Sequence, residues 1–335
     1  MKWLAPIVLA VVGTLSAQAD AAPAYGARLE GFEYPHPVKL FGFRSQGQAL
    51  EMAYMDVAPT APPNGRTAVL LHGKNFCGAT WEATIAVLTG AGFRVIAPDQ
   101  VGFCKSSKPR GYQFSFHQLA HNTAALLDAA GVGRAVVIGH SMGGMLATRF
   151  ALDHPDRVER LVLVNPIGLE DWQAKGVPYA TLDALFEGEK RTTHESIKAY
   201  QARFYYNGDW KPEYQRWVDM LAGMYAGPGG DIVAWNQAQA TDMLYAQPVV
   251  HEFPVLRVPT VLMIGGKDRT APGANRAPPD VAATLGDYPR LGREAADAIP
   301  GATLVEFPGL GHSPQVEAPE VFHPALLKAL DAAPR

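Results

Sequence analysis

Beyond Pro62-Pro63-Asn64-Gly65 the chain alternates between short apolar runs and stretches with a helical period. The runs are TAVLLHG (67–73), RVIAPD (94–99), AVVIGHS (135–141), RLVLVNP (160–166), TVLMIGG (260–266) and ATLVEFPG (302–309). Each is continuously apolar rather than alternating, which is how a strand buried on both faces reads. Between and after them lie ATWEATIAVLTGA, FSFHQLAHNTAALLDAAG, SMGGMLATRFALDHP and APEVFHPALLKALDAA, all of helical character. Ahead of them, VKLFGFRSQGQALEMAYMDVAP reads as two strands around a Gln46-Gly47 turn. The pattern predicts an α/β fold: a mostly parallel sheet with helices on both faces, entered through an antiparallel hairpin.

The rhythm breaks from about Glu170 to Phe253, where strand signals cease and aromatics crowd helical stretches. Most of these aromatics are expected to form the core of a small helical subdomain, with a few facing a pocket. The chain therefore divides into 1–19, 20–168 (core, first part), 169–253 (helical unit) and 254–335 (core, second part). No internal repeat or low-complexity tract is present.

The first segment, MKWLAPIVLAVVGTLSAQADAAPAYGA, has a lysine, an apolar stretch from Leu4 to Leu15, and Ala17-Gln18-Ala19. That order predicts a signal peptide cleaved after Ala19 or Ala21, its apolar run too short to anchor stably in a bilayer. The mature protein is then expected in the periplasm or outside the cell. Composition removes other classes. With 335 residues, 48% hydrophobic and 18% charged side chains, and a net charge of −3, the chain is globular and lacks the basic balance of a nucleic-acid or anionic-membrane binder. There is no metal-spaced Cys/His cluster and no glycine-rich phosphate loop, so neither a metal nor a cofactor is expected. Oligomeric state is not readable.

VIGHSMGGM fits G-x-S-x-G as Gly139-His140-Ser141-Met142-Gly143, directly after a predicted strand and opening a predicted helix. A tight strand-to-helix turn lifts a serine hydroxyl above the sheet and needs glycines two residues to either side. The helix N-terminus favours negative charge developing there. Serine is a poor nucleophile near neutrality until a base takes its proton, and that base needs a third group to hold its tautomer. The residues in order at strand ends are Asp268 in VLMIGGKD and His312 in LVEFPGLGH. Glu170 and Asp171 lie too far beyond their strand to compete for the acid role. His140 is expected to pack beside the elbow and His72 to buttress its own loop.

These motifs, with LLHGKNF, APDQVGFCKSSKP, GHSMGG, GGKD and GLGHSPQVEAPE, make the chain resemble the α/β-hydrolase superfamily, in the branch with a helical cap inserted after the sixth strand. The resemblance covers nearly everything after the leader. A serine at the nucleophile position separates it from the dehalogenases and epoxide hydrolases of that branch, which use Asp. The lipase-type HGGG loop and the prolyl-iminopeptidase pattern are absent. The resemblance implies an oxyanion hole from the backbone N–H groups of Lys74 and Met142. The Lys74 ammonium is left with two destinations: solvent, or the pocket mouth, where it would favour anionic substrates. Cys77 and Cys104 fall on loops after neighbouring strands, and in an exported protein they invite a disulfide, with buried free thiols as the alternative. The interval from Asp268 to His312 is longer than is common in relatives, implying either a surface excursion or a second lip to the pocket.

The resulting expectation is an exported serine hydrolase acting on small, moderately apolar esters. Two alternatives remain: a carbon–carbon bond hydrolase of the meta-cleavage-product type, and a ligand-binding protein on a hydrolase scaffold.

Overall fold

The computed structural model describes Met1 and residues 23–332, so the predicted leader and its cleavage sites lie outside the described residues. Eight strands form one sheet: β1 (Val38–Ser45), β2 (Gln48–Val57), β3 (Thr67–Leu71), β4 (Arg94–Pro98), β5 (Ala135–His140), β6 (Val158–Val164), β7 (Thr260–Gly265) and β8 (Thr303–Phe307). Their spatial order is β1-β2-β4-β3-β5-β6-β7-β8. β1 and β2 pair antiparallel, β2 pairs antiparallel with β4, and every other pairing is parallel. Gln46 and Gly47 both have positive φ (48° and 76°), the backbone twist that a two-residue hairpin turn requires. β3 lies between β4 and β5, so the strand order reverses there and the carboxyl ends of β3 and β5 flank a crevice.

Alternate residues of each central strand enter opposite layers. Val69, Leu71, Val137, Leu161, Leu163 and Leu262 share one core with α2 (Phe116–Ala129), α3 (Met142–Asp153) and α9 (Tyr288–Ala298). Ala68, Leu70, Val136, Ile138, Val162 and Met263 face α1 (Glu82–Gly90) and α11 (Pro319–Asp331). Burial on both faces is why these strands read as unbroken apolar runs.

Between β6 and β7 the chain forms a cap of α4 (Leu182–Glu189), α5 (His194–Tyr200), a π-turn (Gln201–Tyr205), α6 (Gln215–Ala226) and α7 (Gly230–Ala246). Two short helices, α8 (Pro279–Ala282) and α10 (Pro314–Glu317), flank α9 and β8. A strap of residues 23–34 carries no periodic signal, yet it ties cap to core. Tyr25 N–H donates to the Gly223 carbonyl of α6 at 2.7 Å. Arg28 pairs with Glu51 of β2 at 2.7 Å, and the Lys105 ammonium donates to the Leu29 carbonyl at 2.9 Å.

The α1–α11 layer makes stability pH-dependent. His323 on α11 is buried, its Nε2 2.9 Å from Thr84 Oγ1, and burial pushes its pKa down to about 4. In the unfolded chain it titrates near 6.5, so between these values the unfolded state binds more protons. Stability is therefore lost as pH falls from about 6.5 towards 4, by on the order of 3 kcal/mol at most. Urea unfolding of His323→Gln at neutral pH and near pH 4.5 should show most of that difference gone.

Candidate active site

Ser141 directly follows β5 and opens α3, with φ 56° and ψ −121°. Positive φ in a non-glycine residue is strained, and the surroundings hold it in place. Ser141 N–H donates to the Val164 carbonyl at 3.2 Å, and its own carbonyl accepts from Gly144 N–H (2.9 Å) and Ile167 N–H (3.2 Å). The flanking glycines are required by contact. A Cβ on Gly139 would sit 2.1 Å from the Gly143 carbonyl oxygen, and one on Gly143 would sit 2.1 Å from that of Leu71. The turn can close only where β5, α3 and the end of β3 meet backbone to backbone.

Asp268 lies three residues beyond β7 and is fully buried. Its Oδ1 accepts from Thr270 N–H at 2.8 Å, and its Oδ2 accepts from Asn165 Nδ2 at 2.7 Å and from His312 Nδ1 at 2.6 Å. With a carboxylate as acceptor, the Nδ1 of His312 carries the proton and Nε2 presents its lone pair. That Nε2 is buried and has no partner among the described residues. Ser141 and His312 thus do not hydrogen-bond directly here, a contact that commonly tightens only with substrate bound.

Asn165, which sequence reasoning did not single out, sits just past β6 with φ 38°. Its Oδ1 accepts from Gly265 N–H at 3.0 Å while its Nδ2 holds Asp268, so it orients the acid from the neighbouring strand end. The visible signal was an Asn between a strand and Pro166 in VLVNP. Glu170 and Asp171 are engaged elsewhere: Glu170 with Lys175 and Gly286 N–H, Asp171 with His251.

His312 is held from three sides. His140 Nε2 lies 2.8 Å from its carbonyl oxygen, and the two rings are 4.9 Å apart. Burial, with His312 beside it, keeps the His140 pKa well below its ordinary value, so it is a neutral brace. The Tyr205 ring of the π-turn lies 5.0 Å from that of His312, and Phe204 O accepts His312 N–H at 3.4 Å. Glu317 accepts from Gly311 N–H (2.6 Å) and from Asn207 Nδ2 (2.8 Å), joining the His312 loop to the cap.

The loop after β3 is fixed with similar care. His72 donates from Nδ1 to the Gly73 carbonyl (2.8 Å) and accepts Gln100 N–H at Nε2 (3.0 Å), the buttress expected of it. A Cβ on Gly73 would come within 3.0 Å of Ser141 Cβ, so this loop lies directly against the elbow. Neither Lys74 N–H nor Met142 N–H has a backbone acceptor among the described residues. Cys77 and Cys104 form a disulfide with Cα atoms 5.9 Å apart. Beneath it, buried Asp99 accepts from Gly78 N–H (2.7 Å), Lys105 N–H (3.0 Å) and Tyr34 OH (2.7 Å). Asp99 and the disulfide therefore clamp the same two loops twice. Reduction should lower stability by about 3.5 kcal/mol in the chain-entropy model. Because Asp99 persists, hydrolytic rate well below the melting temperature should fall by no more than about tenfold, 1.4 kcal/mol. Urea unfolding and turnover with and without reductant measure the two effects.

Of the two destinations open to it, the Lys74 side chain takes the pocket. Its Nζ pairs with Glu189 of α4 at 2.8 Å, and Tyr225 OH donates to the other Glu189 oxygen at 2.6 Å. All three residues line a cavity of about 370 Å³ with Ser141 at its wall. Ile167, Ile197, Leu221 and Leu244 supply apolar surface, and Tyr200 and Tyr205 aromatic surface. From the long interval after Asp268, Thr270, Pro272 and Gly273 line the cavity and thus form a lip. Further along the interval come α8, α9 and β8, with α9 packed in the core beside β7 and Tyr288 reaching 6.3 Å from the His312 ring. Among the described residues no helix is long and apolar enough to cross a membrane. The cluster Cys77, Asp99 and Cys104 has metal-like spacing, but disulfide sulfurs offer no thiolate.

Residues 68–319 match the family model for the alpha/beta hydrolase fold. The chain belongs to that family. It is a hydrolase by the company it keeps. A solved structure of a probable hydrolytic enzyme from Pseudomonas aeruginosa PAO1 is 61% identical, covers 93% of this chain and 99% of its own, and superposes with a TM-score of 0.92. A "Putative carbamate hydrolase RutD" from Variovorax paradoxus (strain S110) is 27% identical over 80% of this chain and 93% of its own. A 2-hydroxymuconate semialdehyde hydrolase from Pseudomonas putida is 28% identical over 77% of this chain and 84% of its own. The mostly parallel eight-stranded sheet with helices on both faces is the α/β-hydrolase fold anticipated from the motifs.

Proposed function

We propose that this α/β hydrolase is an exported serine esterase that cleaves small, moderately apolar carboxylic esters through an acyl-enzyme. The observation that carries the reading is the His312–Asp268 hydrogen bond of 2.6 Å, which leaves a buried, unpartnered Nε2 beside the cavity into which Ser141 opens. Ser141 attacks the ester carbonyl and gives its proton to His312 Nε2, while Asp268 stabilises the imidazolium. The tetrahedral oxyanion is held by the Met142 and Lys74 N–H groups, each worth on the order of 3 kcal/mol in such chemistry. His312 then protonates the departing alkoxide, and water activated by the same histidine releases the acid. The bonded Cys77–Cys104 pair supports the export half of the reading, since disulfides persist in oxidising compartments.

The carbon–carbon hydrolase reading is favoured by the name of the Pseudomonas putida relative. It needs a cavity that welcomes an anionic dienoate. Among the described residues lining the cavity, Lys74 is the one cation and Glu189 the one anion, and they neutralise each other. That pairing weights the reading towards neutral esters. A carbamate, named for the Variovorax relative, offers a carbonyl that the same serine could attack, though a less electrophilic one, and belongs in the same assay.

Intact mass of the mature protein after a fluorophosphonate, combined with a panel of short nitrophenyl esters, tests the proposal. One adduct at Ser141, lost on heat denaturation, together with turnover of the esters, is the expected result. Adduct formation without ester turnover would move the assignment to the carbon–carbon or carbamate class. No adduct on folded protein would leave a ligand-binding protein on this scaffold. The same mass spectrum reads the cleavage site after Ala19 or Ala21.

A further inference from the structure

The π-turn that roofs the site holds a side chain that neither the fold nor the proposed chemistry uses. Gln201 is fully buried, and both its Oε1 and Nε2 lack a partner among the described residues. It lines the cavity that Ser141 opens into. A buried carboxamide without partners is costly, and native interiors rarely keep one without a use for it. Its position is not slack. The turn that carries it is closed by Tyr206 N–H donating to the Gln201 carbonyl at 3.2 Å, and Phe204 and Tyr205 of the same turn touch His312. Single π-turns concentrate at functional sites because the extra residue re-aims a side chain.

A second polar atom of the same kind lies on the core side of the cavity. Thr270 is buried, its Oγ1 has no partner among the described residues, and its backbone is fixed by the bond to Asp268 Oδ1. Among the described residues, the cavity thus pairs a largely apolar lining with two buried side chains that have unpartnered polar atoms, the Gln201 carboxamide on the cap and the Thr270 hydroxyl on the core, while its one cation and one anion are paired with each other. A carboxamide offers a donor and an acceptor side by side and no charge. Its complement is a neutral group offering an acceptor and a donor side by side.

We propose that Gln201 is a specificity-determining residue that binds a neutral amide-like group, C=O beside N–H, on the substrate of the Ser141 site. The ester reading of that site underlies this inference, and the experiment separates the two. Matched esters are compared, one series modified on the acyl side and one on the alcohol side. In each pair a secondary amide stands against its hydrocarbon isostere, with CH2 for N–H and a methyl group for the carbonyl oxygen. The ratio of kcat/KM, amide over isostere, is measured in the native protein and in Gln201→Met. Affinities of the same pairs are measured by calorimetry in Ser141→Ala and in Ser141→Ala with Gln201→Met, where no turnover is needed.

The expected result is a fall of about tenfold or more in the amide-to-isostere ratio on one of the two sides, made up of a poorer amide and an isostere that is turned over as well as or better than before, since it no longer faces an unpaired carboxamide. The melting temperature of Gln201→Met should not drop, because the variant removes a buried group that has no hydrogen-bond partner among the described residues. Ratios unchanged in both readouts would overturn the inference. So would a joint loss of both ligands with a lowered melting temperature, which would make Gln201 a strut of the π-turn. Gln201-dependent amide binding in the Ser141→Ala background, with no ester hydrolysed by native protein, would overturn the ester reading and leave this one standing.

Discussion

Ser141→Ala protein should fold as the native chain does and hydrolyse esters slower by on the order of 10⁶-fold in kcat, with KM little changed. The residue sits at a turn whose shape depends on Gly139 and Gly143 rather than on its own hydroxyl, since those positions have no room for a Cβ. Its Oγ is not needed to satisfy any buried group, and the elbow is held by main-chain bonds to Val164, Gly144 and Ile167. Removing it therefore takes away the covalent step and leaves the cavity, the Met142 and Lys74 amides and the His312–Asp268 pair in place. The residual rate reports what those groups achieve with water alone, about 10³–10⁴-fold over solution in related systems. A nitrophenyl ester assay with active-site titration of the preparation is the check. Activity within tenfold of native would mean that another group attacks, and the proposed mechanism would fall.

Asp268→Asn is the second large effect, with an expected loss of about 10⁴-fold in kcat. The native carboxylate accepts at both oxygens: Thr270 N–H at Oδ1, and Asn165 Nδ2 with His312 Nδ1 at Oδ2. An asparagine has one acceptor oxygen for three donors. If its oxygen stays on the Thr270 side, its NH₂ group meets two further donors, and His312 must turn its proton to Nε2 to make Nδ1 an acceptor. An Nε2 that already carries a proton has no lone pair to take the one from Ser141. If its oxygen faces His312, the Thr270 N–H loses its acceptor and the loop beside the cavity loosens. In either arrangement the imidazolium also loses its counter-charge at a fully buried position. KM should change far less than kcat, and fluorophosphonate labelling of Ser141 should slow in parallel. A loss below tenfold would show that the His312 tautomer does not depend on the Asp268 carboxylate.

These expectations rest on residues of two kinds. Five of the six runs form largely buried strands, readable because each is apolar throughout and bounded by turn residues; ATLVEFPG, expected to be buried on both faces, instead forms the edge strand β8, where only Phe307 is buried because no strand pairs beyond it. All six strands begin and end within about two residues of their runs, the scatter usual for element ends. Ser141, Asp268 and His312 were readable as candidates because each stands at a strand's carboxyl end in the order Ser, Asp, His. The strap over residues 23–34 was not readable, because it is neither helix nor strand and its contacts with Gly223, Glu51 and Lys105 have no period. Asn165 was invisible as a support for Asp268, since the two are 103 residues apart and meet only because β6 and β7 are neighbours.

What the sequence determined by itself is thus the sheet, the elbow and the candidate triad, all encoded in periodicity, glycine placement and position at strand ends. Whether Lys74 would serve solvent or substrate could not be read from LLHGKNF, because its partner Glu189 lies 115 residues away on a cap helix. The same is true of Gln201, whose carboxamide is an ordinary polar side chain in sequence and becomes a buried, unbonded one only when the π-turn closes over His312. Local pattern sets which face of an element is apolar. The charge and hydrogen-bonding character of the cavity depend on how the cap lies on the sheet, and that is settled by packing between elements far apart in the chain.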